Sequence, residues 1–262
     1  MPWTRRYEEA EPQRVNRWLA QNGVCSRREA EDLIARGLVS IDGERVEDVG
    51  RKITPGQTLT LADAAESELG ASLSVVLHKP VGVVSAQPEA GQVPAVRLLT
   101  ARALLGDSPV IPDARTSLAP LGRLDMDSRG LLLLSDDGVL AKAIIGPASD
   151  LEKEYLVSVT GQVTEKKLGL LCHGLQLDGR QLRRAKVTQL APQKLRFVLK
   201  EGRNRQIRRM CELVGLHVVD LLRVRIGPLR LGDLPEGRWR ALRPDERELL
   251  LREATSPKPP GR

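Results

Sequence analysis

The sequence GRLDMDSRGLLLLSDDG, residues Gly122–Gly138, holds four consecutive leucines between two polar stretches. Because turn-forming residues bound this apolar run on both sides, it predicts a buried strand at Leu131–Leu134 followed by a turn at Asp136–Gly138. The polar stretch before the leucines is then a loop that emerges from a rigid sheet, which is where reactive groups tend to lie. It carries two carboxylates, Asp125 and Asp127, and these are the first candidates for catalysis.

Chemistry allows two interpretations of this carboxylate pair. A glycosidase uses two carboxylates, one as the acid and the other as the nucleophile. Alternatively, one aspartate acts alone while the other caps a turn. Because the Asp-x-Asp spacing of Asp125 and Asp127 is common in ordinary loops, the spacing leaves both interpretations open.

The composition limits the class of protein. The chain has 262 residues, of which 41% are hydrophobic and 29% are charged, so it can build a core and disorder of the whole chain is not expected. No apolar run approaches the roughly 20 residues of a membrane span, and no apolar stretch follows the basic residues at the N-terminus. Three widely spaced cysteines without a CxxC or Cys/His pattern exclude a disulfide scaffold and a zinc finger, and they predict a reducing, cytoplasmic location.

Positive charge is concentrated in one part of the chain. The net charge is +7 overall, whereas Arg180–Arg230 alone contains 14 basic and 3 acidic residues. A surface that binds a polyanion requires such a concentration, although a solvated basic face has the same composition. Aromatic residues make up only 2% of the chain, so any stacking on bases depends on very few rings.

Shifts in composition divide the chain into two domains. Small and acidic residues at 63–72 separate two apolar-patterned regions, which predicts a linker between a small domain at 14–62 and a larger domain at 73–252. Residues 1–13 are polar and charged and are expected to form a flexible leader. Residues 253–262 have the composition of a disordered tail.

The small domain combines short helices with a hairpin. Ser26 and Glu29 form a capping box at the start of the second helix, and Asp42-Gly43 predicts a hairpin turn. The stretch RVNRWLAQNGVCSRREAEDLIARGLVSIDGERV resembles the S4-type RNA-binding domain over nearly its whole length. Composition alone does not predict RNA binding here, because residues 1–60 hold ten basic and ten acidic groups. The arginines to which the resemblance assigns RNA binding are Arg14, Arg17, Arg27 and Arg28.

The large domain contains three ordered motifs that resemble one enzyme family. GRLDMDSRGLLLLSDDG, EKEYLVSV and EGRNRQIRRMCELVG are similar to the signatures of the RsuA/RluB/RluE/RluF family of ribosomal RNA pseudouridine synthases, and HKPVGVVS also fits. The resemblance extends over about residues 14–250. It implies an α+β fold, in which the S4-type domain is tethered to a mixed, mainly antiparallel sheet flanked by helices. The active site is then expected in a basic cleft of the larger domain.

The resemblance also implies roles for individual residues. Asp125 is the catalytic aspartate, and Arg208 is the cation that pairs with it. The ring of Tyr155 lies against the target base, and its phenol can accept the proton from C5. Arg123 fills the space that a flipped-out base leaves. The remaining RNA-binding candidates in these motifs are Lys153, Arg203, Arg205 and Arg209. For the last three, nonspecific phosphate contact is the simplest interpretation.

The basic motif predicts an amphipathic helix. Asn204 precedes the helix and is expected to cap it. The positions that fall at i, i+3, i+4 and i+7 and predict a buried stripe are Ile207, Met210, Cys211 and Val214. The positions left for the surface are Arg205, Arg208, Arg209 and Glu212.

The implied reaction is an isomerisation, so it needs no redox cofactor, no ATP and no metal, and the sequence offers no site for any of these. The variants ASDLEKEYLV and RNRQIRRMCE are most similar to the RluF type, which acts on 23S rRNA and, in some members, on a tRNA. We therefore expect a monomer that acts on 23S rRNA or on a ribosome-assembly intermediate, away from membranes. The alternatives are a 16S rRNA synthase of the RsuA type and a non-catalytic RNA-binding or ribosome-assembly protein. The latter gives no reason for Asp125, Tyr155 and Arg208 to occur together.

Overall fold

The computed structural model describes residues 2–113 and 116–255, and the chain divides into two compact units. The first unit consists of Met1–Leu73 and Ser135–Lys142, and the second consists of Ser74–Leu134 and Ala143–Arg262. None of the helices within the described ranges is long and apolar enough to cross a membrane. Within the same ranges, no three His, Cys, Asp or Glu side chains come together as metal ligands would.

The first unit is a small α+β fold. Its elements are, in chain order, β1 (Thr4–Arg6), β2 (Gln13–Arg14), α1 (Val15–Gln21), α2 (Arg27–Ala35), β3 (Val39–Ile41), β4 (Glu44–Arg45), β5 (Lys52–Ile53), β6 (Thr58–Leu61) and α3 (Asp63–Gly70). The main sheet has the order β1-β6-β3-β4, and β2 pairs with β5. Ser26 accepts a hydrogen bond from the backbone of Glu29, and the Glu29 carboxylate accepts one from the backbone of Ser26. The predicted capping box and the β3–β4 hairpin are thus confirmed.

Two segments of the first unit differ from the expectation. The leader, expected to be flexible, contains β1, which pairs antiparallel with β6. Trp3 and Tyr7, at the ends of this strand, place their rings 6.2 and 5.6 Å from the ring of Trp18, and such burial holds the strand in place. The expected linker instead forms α3, where Asp63 and Glu66 lie in the first turn and complement the helix dipole.

The second unit contains the large sheet. Its first elements are β7 (Ser74–Lys79), β8 (Val83–Val84), β9 (Val93–Pro94), β10 (Ala119–Pro120) and β11 (Arg129–Ser135). Helix α4 (Gly138–Ile145) follows; it begins in the first unit and ends in the second. The next elements of the second unit are β12 (Lys153–Thr160), α5 (Glu165–Cys172), β13 (Gln176–Leu177) and β14 (Arg180–Gln181). The later elements are β15 (Lys186–Ala191), β16 (Lys194–Leu199), α6 (Gln206–Leu213), β17 (His217–Ile226), β18 (Leu229–Arg230), β19 (Trp239–Ala241) and α7 (Pro244–Thr255). Only the first three residues of the expected tail, 253–255, are described, and they belong to α7; the rest of the tail lies outside the described residues.

The strand order of the large sheet is β15-β16-β12-β17-β11-β7-β19, with β10 beside β11 and β18 beside β17. β11 and β17 run parallel, whereas β12 runs antiparallel to both β16 and β17. Leu131–Leu134 are fully buried in β11, as the leucine run predicts. The α+β fold with a mixed, mainly antiparallel sheet is thus confirmed.

One glycine of the leucine motif is required by close packing. Gly130 is paired with Arg223 in the parallel contact of β11 with β17, and its φ is +111°. A Cβ atom there would lie 2.3 Å from the carbonyl oxygen of Arg223, which is far inside van der Waals contact. Glycine therefore allows the two strands to meet immediately after the polar loop.

Two local predictions near these motifs need correction. The predicted turn at Asp136–Gly138 is the start of α4, because the Asp137 carboxylate accepts hydrogen bonds from the backbones of Val139 and Leu140. In α6, Asn204 is not the cap: the N-cap position is Arg205, which has a φ of +48° and makes no side-chain capping bond. The predicted stripe of Ile207, Met210, Cys211 and Val214 is buried, as expected.

Candidate active site

The loop that carries Asp125 is held on both sides by the segment after β7. The buried hydroxyl of Ser85 donates to the carbonyl of Leu124 (2.7 Å) and accepts from its backbone N–H (2.8 Å). On the other side of Asp125, the carbonyl of Met126 accepts a hydrogen bond from the backbone of Gly82 (2.8 Å). The HKPVGVVS stretch thus fixes the residues on either side of Asp125. The sequence analysis did not identify Ser85 as a functional residue. The only sequence signal for it was its position as the last residue of the HKPVGVVS motif.

A cavity of about 660 Å³ opens beside this loop. It is lined by residues from all three motifs of the large domain, and Asp125 and Tyr155 both contribute to its wall. Four of the predicted arginines also line it, namely Arg123, Arg203, Arg205 and Arg208. Tyr155 is only 8% exposed, whereas the side chain of Asp125 is 34% exposed and open to a ligand. The fold therefore brings an accessible carboxylate, an aromatic ring and several cations to one cavity.

Asp127 anchors the cations of this site. Arg205 donates two hydrogen bonds to its carboxylate, at 3.1 and 2.9 Å, and the Nε of Arg208 lies 3.3 Å from it. Burial raises the pKa of Asp127, but the hydrogen bonds from Arg205 and the charge of Arg208 outweigh burial and lower the pKa below its usual range. Asp127 is thus an ionised anchor for two arginines, and not merely the cap of a turn.

The resemblance implied that Arg208 pairs with Asp125, but in the structure Arg208 binds other groups. Its side chain is only 9% exposed, and it donates to the carbonyl of Asp127 (2.7 Å), the hydroxyl of Ser128 (3.3 Å) and the carbonyl of Val218 (3.2 Å). The guanidinium that forms an ion pair with Asp125 in the described part of the chain is that of Arg205, at 3.8 Å. Arg208 is therefore a buried brace beneath the loop, because the loop offers it two acceptors that lie after Asp125 in the chain.

Arg205, which forms the ion pair with Asp125, has a left-handed backbone conformation. A φ of +48° is uncommon for a residue other than glycine, and such backbones cluster at functional sites. A second such residue, Gln87 with a φ of +51°, lines the same cavity.

Two further arginines expected to bind RNA are occupied by protein groups. Arg203 donates to three backbone carbonyls in and next to the β13–β14 hairpin, those of Leu177, Arg180 and Gln181. Arg209 donates two hydrogen bonds to the carboxylate of Asp178 in the same hairpin. Neither arginine is left free for phosphate by these contacts.

Two lysines of the second unit have lowered pKa values. Burial, reinforced by the charge of Arg223, lowers the pKa of Lys153 to about 8, and its ammonium donates to the carbonyl of Leu151 (3.4 Å). Lys153 is not among the residues that line the cavity. Burial also lowers the pKa of Lys79 to about 8, although the nearby charge of Asp125 opposes this.

Arg223 was not singled out by its sequence context. It is 1% exposed and donates to the carbonyls of Leu131 (2.7 Å) and Arg123 (3.2 Å). The second of these bonds fixes the backbone two residues before Asp125. No pattern in the sequence marks such a role, because the bond joins residues 100 positions apart.

In the first unit, the four predicted RNA-binding arginines have a different environment. Arg14, Arg17, Arg27 and Arg28 are all exposed. Within residues 2–113 and 116–255, their side chains make no hydrogen bond or ion pair. Arg17, Arg27 and Arg28 lie on α1 and α2, whereas Arg14 ends β2 immediately before α1. These charges are available to a ligand.

Comparison with known proteins gives a consistent result. The family described as RNA pseudouridylate synthase matches residues 74–213, and the S4 domain family matches residues 13–59. The dual-specificity RNA pseudouridine synthase RluF of Escherichia coli K12 is 35% identical over 237 residues, which cover 89% of this chain and 76% of that protein. An uncharacterized RNA pseudouridine synthase of Aquifex aeolicus is 32% identical, with 91% of this chain and 94% of that protein covered.

A solved structure agrees with these relatives. The crystal structure of a pseudouridylate synthase superposes with a TM-score of 0.61 at 28% identity, and covers 90% of this chain and 99% of that chain. Together with the order of the motifs around the cavity, the matches establish both the fold and the class of reaction. The chain belongs to the RNA pseudouridine synthases of the RsuA/RluF type that carry an S4 domain, and it is an isomerase that acts on uridine in RNA.

Proposed function

We propose that this enzyme converts a specific uridine of 23S rRNA to pseudouridine, in the cytoplasm and as a monomer. The observation that carries the proposal is the 660 Å³ cavity in which Asp125 and Tyr155 meet four arginines. The relatives named RluF are described as dual-specificity RNA pseudouridine synthases, which supports more than one RNA substrate. The resemblance of the motifs to the RluF type supports 23S rRNA as one substrate and a tRNA as a candidate second substrate. An rRNA substrate supports the cytoplasm, where ribosomes are assembled.

Asp125 performs the step at the sugar. The N-glycosidic bond breaks, and the carboxylate either attacks the ribose or abstracts a proton from it. The freed base turns and rejoins the ribose through C5, so that atoms and electrons balance without a co-reactant. The bonds from Ser85 and Gly82 to the residues on either side of Asp125 hold its backbone in one geometry before the RNA binds.

Tyr155 holds the base while it is detached. Its ring lines the cavity from β12, and stacking of one base on an aromatic ring is worth about 1–3 kcal/mol. The phenol oxygen then takes up the proton that leaves C5 as its own hydroxyl proton passes to solvent, and N1 of the base gains a proton from solvent. This role suits a ring that is 8% exposed and thus fixed by its surroundings.

The arginines around the cavity have different roles. Arg205, 3.8 Å from Asp125, supplies positive charge beside the reacting carboxylate, while Arg208 braces the loop from below. Arg123 is exposed at the cavity and enters the space left by the flipped base. Extrusion of a base costs a few kcal/mol, and this insertion offsets part of it.

The proposal is tested by mapping pseudouridines in 23S rRNA, 16S rRNA and tRNA from a strain that lacks the protein. We expect one or more positions of 23S rRNA to lose the modification and to regain it with the wild-type gene. The Asp125→Asn variant should fold normally and restore nothing, because an amide is a poor nucleophile and base. A loss confined to 16S rRNA would contradict the substrate, and full restoration by Asp125→Asn would contradict the catalytic role.

The matched control is Asp127→Asn. It retains the shape of the side chain and one oxygen that can accept one of the two hydrogen bonds from Arg205, so substantial activity should remain. An Asp127→Asn variant as inactive as Asp125→Asn would mean that the two carboxylates act as a pair.

A further inference from the structure

The β13–β14 hairpin is attached to the segment that lines the cavity. Arg203 lines the cavity with part of its surface, while its guanidinium reaches the hairpin and binds the carbonyls of Leu177 (3.1 Å), Arg180 (3.4 Å) and Gln181 (3.1 Å). One arginine side chain thus spans the distance between the cavity wall and the hairpin backbone. The hairpin therefore lies next to the wall of the cavity.

A second contact fixes the tip of the hairpin. Arg209, on α6, donates to both carboxylate oxygens of Asp178, at 2.6 and 3.0 Å. Asp178 has a φ of +54° and precedes Gly179 in the turn, and the hydrogen bonds from Arg209 lower the pKa of Asp178. A bidentate pair of this kind gives geometric specificity as well as attraction.

The chain beyond the hairpin is tied to the same wall. Glu201 accepts hydrogen bonds from the backbone of Arg183 (2.9 Å) and from the amide of Gln206 (3.1 Å). Gln206 in turn accepts from the backbone of Arg203 (2.9 Å). The hairpin, the loop before α6 and the start of α6 therefore form one connected piece.

Two arginines of this piece remain unoccupied. Arg180 and Arg184 are exposed, and their guanidinium groups make no hydrogen bond or ion pair within the described ranges. By contrast, Arg183 between them is held by Asp150 at 2.9 Å. Free, exposed arginines on a piece that also lines the cavity are suited to phosphate contact.

We propose that the β13–β14 hairpin is an RNA-contact element, in which Arg203 and Arg209 hold the hairpin and Arg180 and Arg184 bind backbone phosphates. This assignment rests on the proposed function for the identity of the RNA. It reverses the expectation from sequence for Arg203 and Arg209, because these two bind protein groups and not phosphate. The two halves of the proposal have separate tests.

The phosphate contacts are tested by the salt dependence of binding to 23S rRNA transcribed in vitro. Each phosphate that the protein no longer neutralises should reduce the slope of log K against log salt by about 0.7 to 0.9, so Arg180→Gln with Arg184→Gln should reduce it by about 1.4 to 1.8. The control is Lys166→Gln with Lys194→Gln, two exposed lysines that make no bond to the hairpin. Equal slopes for the two double variants would overturn the assignment, since they remove the same charge.

The holding role is tested by exchanging the charges. Arg209→Asp should release the hairpin, so that its backbone amides exchange hydrogen faster and turnover falls about tenfold. Arg209→Asp combined with Asp178→Arg rebuilds the pair in reverse, and it should restore slow exchange and turnover within about threefold of the wild type. If Arg209 instead binds phosphate, the exchanged variant stays as impaired as Arg209→Asp. Amide hydrogen exchange and the salt dependence of RNA binding are both measured without turnover. Both measurements therefore still test this proposal if the proposed target RNA is wrong.

Discussion

In the first unit, the arginines on α1 and α2 are exposed and have no partner among the residues that the structure describes, whereas those of the segment 203–209 are all bound by protein groups. Both sets looked alike in the sequence, as basic residues on short helices or beside them. The difference lies in what surrounds them: carboxylates and carbonyls from distant segments of the chain bind the second set. We therefore expect RNA contacts from the arginines that the fold leaves unoccupied.

The two tyrosines show the same contrast. Tyr7 is buried in the first unit, where its hydroxyl donates to the carbonyl of Glu11 and its ring lies 5.6 Å from that of Trp18. Tyr155 is almost as buried in the second unit, but it lines the cavity beside Asp125. Burial alone therefore does not separate a structural ring from a functional one.

Among the changes that test these two contrasts, the largest effect is expected from removing the hydroxyl of Tyr155. Tyr155→Phe should bind RNA nearly normally and lose about 100- to 10,000-fold in turnover, because a proton-transfer group contributes that much. Tyr155→Leu should also weaken RNA binding, by up to the roughly 1–3 kcal/mol of one stacked base. Tritium release from C5-labelled uridine in RNA measures the proton transfer, and melting temperature is followed in parallel.

Tyr7→Phe is the matched control for that experiment. It should lower the melting temperature and leave turnover unchanged, because its hydroxyl bonds only within the first unit. If the Tyr155→Phe enzyme is fully active, Tyr155 takes no part in the proton transfer. The two tyrosines would then differ only in whether their ring stacks on the base.

The second effect concerns Arg208, the most buried arginine of the segment 203–209. Arg208→Met should lower turnover about 100-fold, because the loop after Asp125 loses the donor to the Asp127 carbonyl and the Ser128 hydroxyl. Stability should fall as well, by about 1–3 kcal/mol, since the Val218 carbonyl is left without this donor. Single-turnover rates well below the melting temperature separate the two effects.

Arg208→Lys serves as the conservative variant. Lysine keeps the charge but not the fork that reaches three acceptors, so we expect only a partial recovery of turnover. Complete recovery would show that charge alone is needed, and Arg208 would then act on Asp125 through the field and not through the loop.

The local parts of the fold were predictable from sequence. The Ser26–Glu29 capping box, the Asp42-Gly43 hairpin and the strand Leu131–Leu134 each depend on residues within a few positions of one another. The buried stripe of α6 follows from the same kind of periodicity. Strand β1 escaped prediction because its three residues are all exposed and its partner, β6, lies more than fifty positions away.

The sequence predicted which residues form the site, but not which arginine binds which carboxylate. The motifs pointed to Asp125, Tyr155 and several arginines, and the structure places Asp125, Tyr155 and four of those arginines around one cavity. The bonds of Arg205 to Asp127 join residues 78 positions apart, and the bond of Arg208 to Asp127 joins residues 81 apart. No rule of sequence spacing links such distant residues. Which arginine binds which carboxylate is therefore determined only when the sheet is packed.

A smaller effect is expected from the charge of Asp127. Its pKa is lowered in the folded protein, so the charged pair stabilises the fold above the ordinary pKa of 3.8 and this contribution disappears as the pH falls through the folded value. Asp127→Asn should therefore be less stable than the wild type at pH 7, by about 1 kcal/mol or less because the side chain is 43% exposed. The difference in melting temperature should shrink below pH 3.8, and a difference independent of pH would show that shape and not charge matters.

The smallest effect is expected in the first unit, from Arg27→Gln combined with Arg28→Gln. Both arginines are exposed and unoccupied, so their removal should leave folding and single-turnover rate at saturating RNA unchanged. RNA affinity should fall a few-fold, and the slope of log K against log salt should decrease by about 1.4 to 1.8. Arg36→Gln is the control, because Arg36 is already bound by Asp32 and Glu68 and should change the slope little. If Arg36→Gln changed the slope as much per charge as the double variant, occupancy by protein carboxylates would not be what separates RNA-binding arginines from the rest.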